Sequence, residues 1–226
     1  MLEKFQEKIK YKFRNSDLLT QAFTHRSYLN ENKSFKLAHN ERLEFLGDAV
    51  LELVSTEYLY EKYPKKSEGK LTSVRAALVN TVSLAGVAKG LDIDSHLLLS
   101  KGEAKDRGRA RGVILANAFE ALVGAIYLDG GYKPALKFLK EVLLEKADEV
   151  VAKNLWQDPK SVLQEKAQDT EGVTPVYKTI KEVGPDHAKT FTVGVYFGTK
   201  LIAKGTGQSK QEAETEAAKL ALSVMS

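Results

Sequence analysis

The sequence predicts two domains, an all-helical domain followed by an α+β domain whose elements run helix, strand, strand, strand, helix. Residues 1–150 place apolar side chains at helical spacing, and no segment there alternates convincingly as a strand does. Beyond residue 158 the pattern changes to segments rich in β-branched and aromatic residues, which favour strands. We therefore place the first domain at residues 1–153 and the second at residues 158–226.

Short polar or glycine-containing turns divide the first domain into helices, and they are expected near residues 30–38, 63–70, 90–95 and 101–112. A charged helix runs to about Lys153. Asp158 then suits a helix N-cap, and Pro159 suits the first helical position because its missing N–H needs no partner there. Residues 150–158 are accordingly expected to act as a hinge between the domains.

The second domain is expected to begin with a helix over residues 160–170. Three strands follow it, with turns after the first and second, over the segments Val173–Val183, Thr190–Phe197 and Lys200–Gly205. Ser209 and Glu212 then have the spacing of a capping box, in which each side chain bonds a free N–H group at the start of a helix. This box opens a final alanine-rich helix.

The composition excludes several classes of protein. The 226 residues include no cysteine, so disulfides and thiolate metal sites are excluded, as suits a cytoplasmic protein. No stretch of about 18 apolar residues occurs, and the first residues lack the apolar core of a secretory signal, so we expect a soluble protein with no membrane partner. The net charge of +4 permits a polyanionic partner. Residues 156–226 contain nine lysines and nine acids, so polyanion binding there would depend on where the lysines lie.

Three acidic residues share one helix face within an apolar stretch, residues 40–51. Glu41, Glu44 and Asp48 are spaced i, i+3 and i+7, which places them within roughly 60° of one another at about 100° per residue. Apolar neighbours surround them, so at least some of these carboxylates are expected to be partly desolvated. Because uncompensated burial of a carboxylate is costly, this pattern favours a divalent cation such as Mg²⁺. Glu52 also falls on this face, where we expect an acid that is solvated or lies in the outer shell of the metal site.

A second helix, over residues 113–128, is apolar nearly all round and is therefore expected to be buried, although it is too short and too interrupted to span a membrane. Asn117 and Glu120 share one of its faces. Two buried helices that direct oxygen ligands at a common point form the kind of metal site found in helical bundles. The competing interpretation is structural, with one acid capping a helix and another pairing with Arg42 or Arg75.

The residues around both clusters resemble the signature segments of bacterial ribonuclease III. The segment His39–Ala49 reads HNERLEFLGDA, and Glu68–Thr72 and Arg75–Asn80 resemble the family as well. Residues 114–122 resemble its second signature. The element order of the second half, with Gly-Pro-Asp-His in its first turn, resembles a double-stranded-RNA-binding domain. The resemblance covers essentially the whole chain.

This resemblance implies a magnesium-dependent endoribonuclease, with Mn²⁺ able to substitute, that cleaves double-stranded RNA and processes ribosomal RNA precursors and other structured transcripts. The positions that it carries over are Asp48 and Glu120 at the catalytic step with Glu41 in support, and Glu44, Asn117 and Glu120 as metal ligands. It also implies a homodimer in which Phe45 inserts into the partner subunit. The residues alone favour an ordinary core phenylalanine at that position.

For the second domain the resemblance implies contacts with phosphates and with two successive minor grooves of an RNA duplex, from Gln164, Glu165, His187, Ser209 and Lys210. A lysine in the first turn of a helix opposes the macrodipole, and its presence makes sense if a phosphate approaches that helix end. Gln211 stands where similar domains often carry a second lysine. In the first domain, residues 101–112 carry five basic residues and two acids, which indicates either a phosphate guide or a solvated loop.

One position departs from the family pattern, which usually has aspartate where this chain has Asn117. Asparagine still offers a carbonyl oxygen to a metal, but it removes a charge and the bidentate option. Three interpretations follow: a tolerated natural variant, a weakened metal site, or an inactivated protein. We favour the first, because all the other acids remain. The alternative function is a catalytically impaired double-stranded-RNA-binding protein that retains the ribonuclease III fold.

Overall fold

A computed structural model of the chain describes residues 2–105, 108–185 and 189–225. The chain divides into two compact units, Met1–Trp156 and Gln157–Ser226. The described part of the first unit is helical, apart from an isolated bridge between Thr24 and Leu98. Its α-helices, numbered α1 to α10 in chain order, are Leu2–Lys8, Ser16–Ala22, Arg26–Glu31, Glu41–Lys62, Glu68–Val79, Thr81–Gly90, Lys101–Lys105, Arg109–Gly130, Tyr132–Val142 and Ala147–Ala152.

Helices α4 and α8 cross with their backbones in direct contact. A Cβ atom added to Gly47 of α4 would lie 1.8 Å from the carbonyl oxygen of Glu120 on α8. A Cβ atom on Gly124 of α8 would lie 2.3 Å from the carbonyl oxygen of Leu43 on α4. Only glycine fits at either position, because any side chain would force the two helices apart.

The buried face of α8 forms the centre of the first unit. Its largest fully buried side chains are Leu115, Phe119, Leu122 and Ile126. The segment Ala110–Gly130 is long and apolar enough to cross a membrane by composition, but 61% of its most apolar window is buried against the rest of the protein. Packing in a helical core therefore accounts for its apolar character, as the sequence predicts.

The segment predicted as a loop over residues 101–112 is mostly helical, so this expectation was wrong. Helix α7 begins at Lys101, and Ser100 caps it by accepting a hydrogen bond from the N–H of Glu103 at 3.3 Å. Helix α8 begins at Arg109. The charged composition of the segment gave no indication of α7 or of the first turn of α8, because exposed helical turns carry no apolar periodicity.

The end of the first unit is folded where the sequence indicated a hinge. After α10 the N–H of Leu155 bonds the carbonyl of Val150 at 2.9 Å, and Asn154 takes a left-handed conformation with φ of 51°. These are the features of a Schellman motif, which reverses the chain at a helix end. Trp156 then packs against the small apolar cluster that contains Leu59. The ordered chain therefore extends to Trp156.

The second unit has the predicted order, with α11 (Pro159–Glu171), β1 (Val176–Val183), β2 (Thr190–Phe197), β3 (Lys200–Gly207) and α12 (Lys210–Val224). The strands form an antiparallel sheet in the order β1-β2-β3. Asp158 caps α11 by accepting from the N–H of Ser161 at 3.2 Å, with proline at the first helical position as expected. The α+β fold class is thus confirmed, as is the all-helical class of the first unit.

Two strand ends differ from the sequence prediction. Strand β1 begins at Val176, three residues late, because Pro175 lacks the N–H group that a ladder requires. Strand β3 continues to Gly207, which pairs with Phe191 of β2. Because Gly207 has no side chain, it adds nothing to the β-branched and aromatic pattern that predicts a strand. The predicted strand therefore ended too early, at Gly205. The helices cover one face of the sheet, around Leu163, Val195 and Ala217.

We expect Gly47→Ala to lower the free energy of unfolding by about 1–3 kcal/mol or more, because its methyl group collides with the α8 backbone rather than with a side chain that can move. Urea denaturation followed by circular dichroism measures the change. Gly86→Ala is the matched control: it lies exposed on α6 with nothing within 4 Å, so it should stabilise the protein by about 0.4–1 kcal/mol. Equal stability of the two variants would contradict the proposed backbone contact.

Candidate active site

The crossing of α4 and α8 brings together four of the residues that the sequence singled out. Glu44 and Asp48 extend from α4, while Asn117 and Glu120 extend from α8. Glu44 and Glu120 are half-buried, as expected for partly desolvated carboxylates, whereas Asp48 is exposed. The fifth predicted residue, Glu41, is the exposed first residue of α4 and lies at the edge of this group.

Burial and neighbouring negative charges raise the pKa of two carboxylates in this group, Glu120 and Glu44. Burial raises the pKa of Glu120 to about 7, and the negative charges of Asp48 and Glu44 add to the shift. The pKa of Glu44 is also raised, first by burial and then by Glu41 and Asp48, although a hydrogen bond from the Asn117 side chain opposes the increase. Asn117 therefore faces the acids, and its amide is the polar group that partly stabilises the Glu44 carboxylate.

The acids beside this group have cationic partners, whereas the group itself does not. Glu41 lies 3.5 Å from Nη1 of Arg26, and Glu52 lies 2.9 Å from Nε of Arg75. Within the described ranges, no ion pair involves Glu44, Asp48 or Glu120. The structural interpretation, in which an acid of the cluster pairs with Arg42 or Arg75, is not confirmed for Glu44, Asp48 or Glu120 among the described residues. Arg75 pairs instead with Glu52, which was expected to be a solvated or outer-shell acid. Sequence reasoning missed Arg26, because no local pattern links it to Glu41.

Among the described residues, no three His, Asp or Glu side chains are arranged closely enough to hold a metal ion. Like-charge repulsion opposes a closer approach of these groups, and a cation among them would reverse it. The site thus combines clustered oxygen donors, half-burial and unneutralised negative charge.

Phe45 is one of the most exposed apolar side chains among the described residues, at 81%. The expectation of an ordinary core phenylalanine, which the residues alone favoured, was therefore wrong. Its neighbours Glu44 and Leu46 are half-buried, so the helix turns Phe45 outward from the core. Leu53 and Tyr60 follow on α4 with exposures of 58% and 72%. Together these three side chains form an apolar stripe on the outside of the first unit.

In the second unit, Gln164 and Glu165 are exposed on α11, as predicted. They line a cavity of about 500 Å³ together with residues one turn away, Ser161, Gln168 and Asp169. Sequence reasoning missed these three. Their i±3 and i±4 spacing from Gln164 and Glu165 was the available signal.

The start of α12 carries the remaining predicted contacts. Ser209 caps the helix by accepting from the N–H of Glu212 at 3.1 Å, and Glu212 bonds the N–H of Gln208 in return. The predicted capping box is thus present, with its second bond moved by one residue. Lys210 is exposed, and its Nζ lies 3.2 Å from a carboxylate oxygen of Glu182 on β1. His187, which the resemblance also implied, lies outside the described residues.

We expect Glu120→Gln to stabilise the protein at pH 8 in the presence of EDTA. A raised folded-state pKa contributes stability that is complete below the ordinary pKa and is lost as the pH rises through about 7. Removing the carboxyl should therefore increase the free energy of unfolding by about 1–3 kcal/mol at pH 8 and change it little at pH 5. Glu52→Gln, which removes an ion-paired acid from α4, should give no gain. Parallel pH profiles for parent and Glu120→Gln would contradict the coupling.

Comparisons with known proteins agree with this arrangement. Residues 15–147 match the Ribonuclease-III-like family, and residues 159–225 match the double-stranded RNA binding motif. Ribonuclease 3 of Desulforamulus reducens is 48% identical over 216 residues, covering 96% of this chain and 88% of that protein. Ribonuclease 3 of Enterococcus faecalis is 49% identical over 210 residues, covering 93% and 91%.

A solved structure shows the same fold in the first unit. The nuclease domain of ribonuclease III from Campylobacter jejuni is 41% identical and superposes with a TM-score of 0.59, covering 65% of this chain and 98% of that one. The helical first unit, the α+β second unit and the relatives that match nearly the full chain all agree. The chain therefore belongs to the ribonuclease III family of endoribonucleases and carries a double-stranded-RNA-binding domain.

Proposed function

We propose that this protein hydrolyses phosphodiester bonds in double-stranded RNA with Mg²⁺ as its cofactor, and that residues 1–153 are the catalytic domain and residues 158–226 the RNA-binding domain. The observation that carries the proposal is the meeting of Glu44, Asp48 and Glu120 without a cationic partner among the described residues. Burial, and then the negative charges of Asp48 and Glu44, raise the pKa of Glu120 to about 7. A protein retains such repulsion at a cost in stability, and catalysis supplies the reason.

The residues of the site fit a hard divalent cation. Carboxylate and amide oxygens are the donors that Mg²⁺ and Mn²⁺ prefer, and two helices in backbone contact hold them in place. We assign Glu44, Asn117 and Glu120 as the ligands. Bound there, the metal would supply an activated water and stabilise the charge that develops on the phosphate. Asp48 and Glu120 act at the catalytic step.

Glu41 supports this site from its edge. Arg26 lies 3.5 Å and His39 lies 3.8 Å from its carboxylate oxygens. These two neighbours hold the Glu41 side chain at the start of α4, next to Glu44. The charge of Glu41 repels that of Glu44, and a cation in the site would relieve this repulsion.

We propose a homodimer that uses the apolar stripe of Phe45, Leu53 and Tyr60. Exposed apolar stripes of this kind mark interaction surfaces. The description of the Campylobacter jejuni nuclease domain refers to a region involved in dimer formation. A two-fold dimer would present two identical sites, one for each strand of an antiparallel duplex, and Phe45 would insert into the partner subunit.

The RNA-binding contacts that we propose in the second unit lie on two surfaces. Gln164 and Glu165 border the polar cavity on α11, which suits hydroxyl groups in a minor groove. Ser209 and Lys210 lie at the start of α12, where a phosphate would replace Glu182 as the partner of Lys210. We also assign His187 to this surface on the resemblance alone. The substrates that we propose are ribosomal RNA precursors and other structured transcripts in the cytoplasm.

The alternative of a non-cleaving RNA-binding protein is not favoured. The Asn117 side chain faces the Glu44 carboxylate and offers a carbonyl oxygen, which supports its assignment as a ligand. All three carboxylates of the site are also present.

We expect Glu120→Gln to abolish cleavage of a long RNA duplex in Mg²⁺ while duplex binding stays unchanged, because the substitution removes a metal charge and leaves the second unit intact. Gel analysis of products and a filter-binding assay measure the two properties. Glu52→Gln should cleave at close to the parent rate. Cleavage by Glu120→Gln within several-fold of the parent would refute the site.

Asn117→Asp should lower the Mg²⁺ concentration required for half-maximal cleavage, because a full negative charge replaces a neutral dipole. In EDTA the same variant should lose about 1–3 kcal/mol of stability, since it removes a hydrogen-bond donor from Glu44 and adds a like charge. Magnesium titration and urea denaturation measure the two effects. An unchanged or higher magnesium requirement would rule out Asn117 as a ligand.

Lys210→Ala should weaken binding to duplexes of different sequence equally and reduce the salt slope by roughly one, as the loss of one phosphate contact does. Lys219→Ala is the matched control, because Lys219 is an equally exposed lysine of α12 that lies 3.8 Å from Glu216. Binding isotherms at several salt concentrations give both values. A loss confined to certain sequences, or an equal loss in Lys219→Ala, would contradict a phosphate contact at Lys210.

A further inference from the structure

Arg111 is a buried cation at the start of α8, the helix that carries Asn117 and Glu120. Its side chain is only 9% exposed, and its Nε lies 2.6 Å from a carboxylate oxygen of Asp94. Among the described residues, its buried Nη1 atom has no hydrogen-bond partner. A guanidinium that is buried with one donor unsatisfied costs stability, so a simple stabilising role does not account for this pair.

The short segment that carries Asp94 is a support anchored to the core of the first unit. It belongs to the short 3-10 helix Ile93–His96, in which Ile93 is fully buried. The hydroxyl of Ser95 donates to the carbonyl of Asp92 at 3.0 Å, and Asp92 itself takes a left-handed conformation with φ of 64°. The ring of His96 packs against the core residue Phe5 at 5.0 Å. The carboxylate that holds Arg111 is therefore fixed to the core.

The segment after this support is hydrogen-bonded to the turn that follows α2. The N–H of Leu98 donates to the carbonyl of Phe23 at 2.8 Å, and the N–H of His25 donates to the carbonyl of Leu98 at 3.0 Å. Two short backbone bonds thus connect the chain beyond Asp94 to residues 23–25.

The same turn holds the start of α4. The N–H of Asn40 donates to the carbonyl of Thr24 at 2.9 Å, and the Asn40 side chain donates to the carbonyl of Ala22 at 3.2 Å. Asn40 is almost fully buried and accepts the N–H of Glu44 at 2.9 Å, inside the first turn of the helix. A continuous set of contacts therefore runs from Arg111 on α8 to Glu44 on α4.

We propose that Arg111 is a positioning residue of the ribonuclease site: through Asp94 it fixes the start of α8 relative to the start of α4. The glycine crossing at Gly47 and Gly124, together with the core around it, packs the middle of the two helices together. The Arg111–Asp94 contact holds the first turn of α8 to the support that leads to the start of α4. Asn117 and Glu120 lie between Arg111 and Gly124 on α8, so their distances to the α4 acids depend on both contacts. This inference rests on the proposed function.

A direct contact with RNA does not explain Arg111. The side chain is more than nine-tenths buried, and its ion-pair partner is a carboxylate of the same chain. Lys101 and Lys105 on α7 are exposed basic residues of the same segment, and they are accessible to phosphates. RNA binding by this segment would depend on its exposed lysines, whereas positioning of α8 would depend on the buried Arg111. Substitutions of the two kinds of residue should therefore have different effects.

The test compares Arg111→Met with Lys105→Met, which removes the same charge from an exposed position. We expect Arg111→Met to lower kcat about 10- to 100-fold, the range typical of residues that orient metal ligands, with KM for duplex RNA unchanged within about twofold. Lys105→Met should leave kcat unchanged. Hydrogen exchange of residues 111–120, measured in EDTA without substrate, should be faster in Arg111→Met only.

Two milder variants cover the case in which Arg111→Met does not fold, as judged by circular dichroism. Arg111→Lys keeps the charge and loses the planar fork, and Asp94→Asn keeps one oxygen acceptor. Both should lower kcat and speed the same exchange to a smaller degree. An unchanged kcat and unchanged exchange in folded variants would overturn the inference, as would a raised KM with unchanged kcat. If the parent protein itself fails to cleave, the proposed function is refuted, and the exchange data alone decide whether Arg111 positions α8.

Discussion

The backbone contact between α4 and α8 is the constraint on which the first unit depends. Gly47 and Gly124 allow the two helices to touch without an intervening side chain. The acids that flank the crossing, Glu44 on α4 and Glu120 on α8, therefore lie close enough for the Glu44 charge to raise the pKa of Glu120. With a wider separation, water would enter between the helices and each carboxylate would titrate close to its ordinary value. The packing of the core and the electrostatics of the site thus have one cause.

This arrangement exchanges stability for chemical capability. Burial together with like charge raises the pKa of Glu120 to about 7, so the folded state without a cation carries an electrostatic strain near neutral pH. Glu52, a nearby acid outside the cluster, is instead paired with Arg75 at 2.9 Å. An acid that maintains the fold has a cationic partner, whereas an acid that is available to a metal does not. The partners of each carboxylate are therefore enough to distinguish the two kinds of acid.

In the second unit, a glycine likewise allows a helix to approach the sheet closely. A Cβ atom on Gly205 of β3 would lie 2.2 Å from the backbone nitrogen of Ala217 and 2.4 Å from the carbonyl oxygen of Ala213, both on α12. Small residues therefore let α12 lie directly on the sheet. Its first residue, Lys210, consequently reaches Glu182 on β1, the far strand of the sheet. In both units, glycine at a contact point determines where the functional side chains lie.

The sequence by itself determined the fold classes and the acid cluster, because helical spacing, strand composition and capping residues act over a few neighbouring positions. It misjudged helix α7, where an exposed turn has no apolar period to detect. Only the tertiary structure decided which charges are neutralised and which apolar residues are exposed. Arg26 meets Glu41, Arg111 meets Asp94 and Phe45 points outward because of contacts between segments far apart in the chain. Burial and charge pairing depend on such distant neighbours, and local periodicity carries no information about them.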